Sequence, residues 1–305
     1  MILLRKIIAV IILLGITTVL MFASSEDSSG SSRSSSNNYS NSSTHTNFTD
    51  YKLISHAMGS IQNKAYTNSY EAFVANYEQG NRVFEVDLLL TEDHQVVARH
   101  EWTQSMTKEL QQEEELPEDR QAVPLTHKEF KESDILGKLK PLDWGDILDL
   151  MEEYPDIYIV TDRKEQQQVD ILSLMVKEAE QRRNPKLLQR IIPQIYDQPM
   201  LKAVQGVYEF PSIIYTLYAS KDTDQEVIDF VAKNKITGVT MPENRTSESF
   251  VSKLNKVGVV TYVHTINDIS DMKKYEKMGI YGFYTDDLSE MVLNAANKWY
   301  LLGSK

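Results

Sequence analysis

The 305-residue chain has no cysteine. Disulfide staples, thiolate metal sites and cysteine nucleophiles are therefore all excluded. Positive charge is also in short supply: 32 Lys and Arg stand against 44 Asp and Glu, a formal net charge of -12. A body this acidic repels a phosphate backbone, so nucleic acid is not expected as a partner. Apolar residues form only one long uncharged run, the 17 residues Ile7–Ala23, which excludes a multi-span membrane protein. What remains, 41% hydrophobic and 25% charged, is the composition of an ordinary globular protein.

The charge is not spread evenly. Within the first 50 residues Arg5, Lys6 and Arg33 cancel Glu26, Asp27 and Asp50, so the whole net charge sits in residues 51–305. As a helix, Ile7–Ala23 would span roughly 25 Å, slightly short of a hydrocarbon core of about 30 Å. The basic pair Arg5-Lys6 ahead of it predicts a cytoplasmic N-terminus and an exported remainder. The run is longer than a usual signal core, so residues 1–23 read as a retained signal anchor, with a signal peptide cleaved near Ala23-Ser24-Ser25 as the alternative. Residues 24–50 contain 12 serines and almost no aliphatic side chain. They cannot offset their ordering entropy and read as a disordered Ser/Asn-rich linker. Asn38, Asn41, Asn47 and Asn244 each open an Asn-X-Ser/Thr triplet, which matters only in a host that glycosylates exported proteins. An exported body without cysteine depends on a large core.

From residue 51 onward short β-branched runs alternate with longer amphipathic ones. The strand candidates are 53–55, 83–89, 157–161, 191–196, 212–218, 237–241, 259–264 and 281–285; helical periodicity marks 69–79, 168–182, 225–234, 247–257 and 269–278. Eight strands with intervening helices predict an α/β fold, a (β/α)8 TIM barrel over 51–305. A doubly wound open sheet is the competing architecture, but no Gly-rich dinucleotide fingerprint follows the first strand. The alternation breaks at residues 101–141, a polar stretch with Glu113, Glu114, Glu115, Glu118 and Asp119. It reads as an insert over the C-terminal rim, its acidic run a solvated face.

Polar residues at the C-terminal ends of barrel strands mark the chemistry of such a fold. Here His56 closes the first strand, Glu85 and Asp87 lie on the second, His100 follows the short run Val96–Arg99, and Asp162 and Lys164 end the next. Residues two apart on a strand face the same way, so Glu85 and Asp87 can converge on one cation. Three carboxylates without thiolates suit a hard divalent ion, Mg2+ or Ca2+. Two flanking histidines would supply general base and acid, and a lysine beside the metal would neutralise an anionic phosphate.

At these residues the chain resembles the glycerophosphodiester phosphodiesterase family, one of the phosphatidylinositol-specific phospholipase C-like phosphodiesterase barrels. The matching segments are Ile54-Ser55-His56-Ala57-Met58-Gly59, Thr67-Asn68-Ser69, Glu85-Val86-Asp87, Val97-Ala98-Arg99-His100-Glu101 and Val160-Thr161-Asp162-Arg163-Lys164. Pro193-Gln194-Ile195-Tyr196, Thr265-Ile266-Asn267 and Thr285-Asp286-Asp287 extend the match over essentially all of 51–300. The resemblance implies His56 and His100 as the acid–base pair, a cation on Glu85, Asp87 and Asp162, Lys164 on the phosphate, and Asn68, Gln194 and His264 as further substrate contacts. It also implies an insert where 101–141 stands. The chain departs from the family at Ala57, where a phosphate-contacting arginine is usual, at Thr67 in place of Glu, at Asp162 in place of a longer glutamate, and at His264 where Trp is common.

The expected protein is an exported, metal-dependent phosphodiesterase. Its substrates would be small-molecule headgroup diesters or glycerol-phosphate polymers. It would be held at the cell membrane by its N-terminal segment with the catalytic domain outside, or secreted if the signal is cleaved. A catalytically silent surface module on the same barrel is one alternative. A phospholipase C- or D-like lipid phosphodiesterase is another, and it would need an apolar rim of the kind Trp102 and Trp144 could supply.

Overall fold

Val, Ile, Leu and Tyr runs too short for stable helices form the strands of the computed structural model, which describes residues 47–163, 168–184 and 186–303. Eight of them, β1 (Leu53–Ser55), β2 (Val83–Leu90), β4 (Tyr158–Arg163), β5 (Ile191–Ile195), β6 (Ile214–Thr216), β7 (Gly238–Pro242), β8 (Val260–His264) and β9 (Gly282–Thr285), pair in parallel. The order β1-β9-β8-β7-β6-β5-β4-β2 closes through a parallel β1–β2 pairing. This is the expected TIM barrel, with no free edge in the ring. The remaining strand, β3 (Val96–Ala98), folds back antiparallel on the upper half of β2, pairing Leu88 with Ala98 and Leu90 with Val96.

Helices α1 (Tyr70–Glu78), α4 (Trp144–Glu153), α5 (Gln168–Gln181), α6 (Gln198–Val207), α7 (Asp224–Asn234), α8 (Glu248–Lys256), α9 (Ile269–Lys277) and α10 (Glu290–Gly303) follow the barrel strands. The structure adds three of these, α4, α6 and α10, to the helices expected from periodicity. The starts of α4 and α6 are fixed by side-chain caps that take up free backbone N–H groups: Asp143 accepts from the Asp146 amide and Asp197 from the Met200 amide. Two interiors result. Phe84, Val86 and Leu88 of β2 face the helices, whereas Val83 faces the barrel lumen with Ile54, Val160, Ile192, Ile214, Tyr262 and Tyr284. With a period of two, the lumen column of β2 reads Val83, Glu85, Asp87, and that of β4 reads Tyr158, Val160, Asp162. The lumen is apolar at the bottom and acidic at the top.

The bottom is closed by residues expected in the linker. Asn47–Asp50 belong to the folded body: Phe48 is fully buried and stacks on Tyr262 at 6.4 Å, and Tyr281 donates to the Thr49 carbonyl. Gly282 keeps this end tight, since a Cβ there would lie 2.4 Å from the Lys52 carbonyl oxygen. At the other end the insert carries α2 (Gln104–Glu109) and α3 (His127–Glu132) around two small apolar clusters. Val97, Leu116, Leu125 and Phe130 form one, and Met106, Leu110, Ile135 and Leu139 the other. Glu114, Glu115, Glu118 and Asp119 face solvent as expected. No described helix is long and apolar enough to cross a membrane, and the run Ile7–Ala23 lies outside the described residues.

Candidate active site

Strand register assembles the site. Ser55 of β1 pairs with Thr285 of β9, so the next residue on each strand, His56 and Asp286, emerges side by side at the C-terminal rim. His56 Nδ1 lies 2.8 Å from Asp286 Oδ1, which leaves Nε2 free to face the rim. Asp286 is itself fixed by Asn267, whose Nδ2 donates to Asp286 Oδ2 at 2.8 Å and whose Oδ1 accepts from the Asp286 amide at 2.7 Å. Burial disfavours the His56 cation, but the Asp286 hydrogen bond and the charges of Glu85 and Asp87 prevail and raise it to about 9. Burial likewise opposes ionisation of Asp286, yet the bonds from His56 and Asn267 hold it below the usual carboxylate range. Sequence matching marked Asp286 and Asn267 only as motif positions; their joint hold on His56 is a product of the fold.

The β2–β4 register sets Asp87 beside Asp162 and Glu85 beside Val160. Glu85, Asp87 and Asp162 each turn one oxygen inward so that the three lie within 4.8 Å of one another. Glu85 and Asp87 are each 2% exposed. Each uses one oxygen internally: the Ala57 amide donates to Glu85 Oε2 at 2.8 Å, and Asn68 Nδ2 donates to Asp87 Oδ2 at 2.9 Å. Asn68 Oδ1 also accepts from the Asp87 amide at 3.2 Å, and Asn68 is fully buried. Both ends of its amide bond Asp87, so Asn68 orients that carboxylate. Burial, then the charge of Asp87, drives the Glu85 carboxyl well above its ordinary range. Hard oxygen donors packed with like charge in a low-dielectric site are what a divalent cation stabilises, so the residues fit such an ion.

His100 reaches the same place through β3, where the Arg99 amide donates to the Asp87 carbonyl at 3.0 Å. The Arg99 guanidinium is buried and ties the insert to this strand, donating to Gln112 Oε1, Thr107 Oγ1 and the Glu101 carbonyl. His100 Nδ1 lies 3.5 Å from Glu101 Oε1. Tyr66 stands between the two histidines, its ring centroid 4.9 Å from that of His56 and 4.8 Å from that of His100. No sequence periodicity pointed to it.

The opposite wall is aromatic. His264, at the end of β8, lies 6.2 Å from both Tyr284 and Tyr218, and its Nε2 is buried without a partner. Burial and the neighbouring His56 lower it to about 4, so it is neutral at physiological pH. Tyr284 OH donates to Gln194 Oε1 at 3.3 Å, placing Gln194 in the floor. Arg245 clamps the loop that carries Tyr218 by donating to the carbonyls of Leu217, Ser220 and Asp222. Lys164 lies outside the described residues. The tryptophans do not form an apolar rim: Trp144 is buried in the core with its indole N–H on the Met175 carbonyl, and Trp102 packs on Phe130.

The structure of a glycerophosphodiester phosphodiesterase from Parabacteroides distasonis superposes with a TM-score of 0.64 at 17% identity, covering 82% of this chain and 98% of that one. A phosphodiesterase from Oleispira antarctica, solved with its product sn-glycerol-3-phosphate, superposes with a TM-score of 0.64 at 17% identity over 81% and 97%. A glycerophosphodiester phosphodiesterase from Thermotoga maritima gives a TM-score of 0.56 at 20% identity over 80% and 96%. At such identities these likenesses speak to the fold. No curated protein sequence matches the chain. The family model of the glycerophosphoryl diester phosphodiesterases, however, matches residues 59–290, a span that takes in Glu85, Asp87, His100, Asp162 and Asp286. The chain therefore belongs to the glycerophosphoryl diester phosphodiesterase family and is a phosphoric diester hydrolase of that type.

Proposed function

We propose that this protein is an exported, divalent-cation-dependent glycerophosphodiester phosphodiesterase that works by histidine acid–base catalysis. The observation that carries the reading is the buried carboxylate cluster of Glu85, Asp87 and Asp162 on the same barrel rim as His56 and His100. Glu85, Asp87 and Asp162 would hold the cation, Mg2+ or Ca2+. When bound, the ion polarises the phosphoryl group and offsets its charge. The protein's own residues do the remainder. Asp286 fixes the His56 ring so that Nε2 faces the substrate, and His100 faces it from the hairpin side. One imidazole takes the proton from the attacking hydroxyl or water, and the other returns one to the departing alkoxide. Lys164 is assigned to the phosphate, with Gln194 and His264 contacting the alcohol portions.

The substrates are glycerophosphodiesters, either small headgroup diesters or glycerol-phosphate polymers. The N-terminal segment would hold the enzyme at the membrane with its catalytic domain outside, or release it if cleaved. The test is release of glycerol 3-phosphate from glycerophosphocholine by the full chain. EDTA should abolish it, re-addition of Mg2+ or Ca2+ should restore it, and His56→Ala should lower kcat by about 10^2- to 10^4-fold. Activity that survives both EDTA and His56→Ala would overturn the chemistry.

A further inference from the structure

We propose that Tyr66 is a substrate-contacting residue of this site: its ring wedges the two histidines apart and its hydroxyl donates a hydrogen bond to the monoanionic phosphoryl group of the diester. The inference rests on the phosphodiesterase reading above and deepens it. Three features carry it.

The first is the packing. The Tyr66 ring meets His56 at an interplanar angle of 81° and His100 at 68°, edge-on to both, so one side chain fixes the planes of both imidazoles. The second is the backbone that holds it there. Tyr66 has φ 59, a left-handed conformation that a bulky residue adopts only when its surroundings impose it. The segment before it is fastened to the strand end that orients His56: the Ser60 amide donates to the Asp286 carbonyl at 2.7 Å and Ser60 Oγ to Asp287 Oδ1 at 2.6 Å. After it, the Asn68 amide donates to the Ala57 carbonyl at 3.2 Å. Gly59 completes the arc with φ 85, where a Cβ would lie 2.4 Å from Asn76 Nδ2.

The third is chemical need. Tyr66 is 36% exposed, and its hydroxyl makes no hydrogen bond among the described residues. Burial and the charges of Asp286, Asp87, Glu85 and Glu101 raise its pKa further, which keeps it a neutral donor. Ala57 offers no side-chain donor to the substrate, whereas the phenol beside His56 does. As a neutral donor, the hydroxyl can bond a charged phosphoryl oxygen without adding charge to the carboxylate-lined site.

The test compares Tyr66→Phe, which keeps the wedge, with Tyr66→Leu, which removes it. Tyr66→Phe should raise KM for glycerophosphocholine and weaken calorimetric binding of glycerol 3-phosphate by about three- to tenfold, the loss of one hydrogen bond, with a smaller change in kcat. Tyr66→Leu should in addition lower kcat and shift the 15N-histidine NMR signals of both His56 and His100, which Tyr66→Phe leaves in place. An active wild type with unchanged KM and unchanged glycerol 3-phosphate affinity in Tyr66→Phe would overturn the contact, as would unshifted histidine signals in Tyr66→Leu. A wild type that hydrolyses no diester yet binds glycerol 3-phosphate in a Tyr66-dependent way would sink the hydrolase reading and uphold Tyr66 as a ligand contact.

Discussion

At the N-terminal end of the barrel Phe48, Tyr262 and Tyr281 pack ring to ring, with Tyr262 and Tyr281 donating to the carbonyls of Tyr51 and Thr49. Toward the C-terminal end, two and four residues beyond Val83 on β2 and so about 7 and 13 Å up that strand, Glu85 and Asp87 are buried with no Lys or Arg side chain paired to them among the described residues. One end satisfies its polar atoms and excludes water. The other gathers like charges and leaves oxygens facing inward. Burying a carboxylate beside another costs free energy unless an ion or ligand supplies the opposite charge. Apolar packing and the acidic cluster are thus separated along a single strand: Val83 belongs to the apolar lumen and Asp87 to the carboxylate cluster, four residues apart on β2.

The largest effect that could break this contrast is at the top. Glu85→Gln keeps the acceptor for the Ala57 amide but removes one charge. Hydrolysis should fall by more than roughly 10^3-fold, while the thermal midpoint measured in EDTA should hold or rise, because a buried repulsion is relieved. A midpoint lowered by several degrees would mean that Glu85 stabilises the barrel, and the two ends would not differ as described.

Much of this separation was legible in the sequence. The lumen columns obey the period of two, so Glu85-x-Asp87 announced a shared face, and β-branched runs announced all eight barrel strands. What escaped reading comes from register and left-handed backbone. His56 and Asp286 are 230 residues apart and meet only because β1 closes the ring against β9. Tyr66 sits in an aperiodic arc where Ala57, Met58, Gln62, Asn63, Tyr66 and Asn68 all have positive φ, and such a conformation leaves no hydrophobic pattern to detect. The two hydrogen bonds between Asn68 and Asp87 also escaped reading, because a motif records a position and not its bonds. The start of the body was read at residue 51 because Phe48 is a single aromatic residue in a polar tract, too little for any window to register.

The next effect in size belongs to the bottom. Phe48→Ala removes a fully buried ring and should cost about 3–5 kcal/mol of stability in denaturant unfolding, with kcat per folded molecule within about twofold of wild type. A kcat that drops in step with stability would show the plug to be coupled to the catalytic rim.

The smallest effect separates the insert from the rim it covers. Arg120 Nη2 donates to Glu129 Oε2 at 2.7 Å and to Glu92 Oε2 at 2.8 Å, tying α3 to the turn after β2. The hydrogen bond from Arg120, followed by that from the Thr126 amide, lowers the Glu129 carboxyl from 4.5 to about 2. A carboxylate with a depressed folded-state pKa stabilises the fold fully above its unfolded value and loses that contribution as pH falls through the folded value. The window is therefore pH 4.5 down to about 2. Solvent screens the pair, which lies at the surface, so Glu129→Gln should cost less than about 1 kcal/mol at pH 6. The difference from wild type should close on approach to pH 2, and kcat should be unaffected, because this ion pair supports the insert from outside and touches neither histidine. A constant difference in stability from pH 6 to pH 2 would assign the loss to the capping contacts of Thr126 and not to charge. A loss of kcat would mean that the insert, like the carboxylates beneath it, belongs to the reacting end.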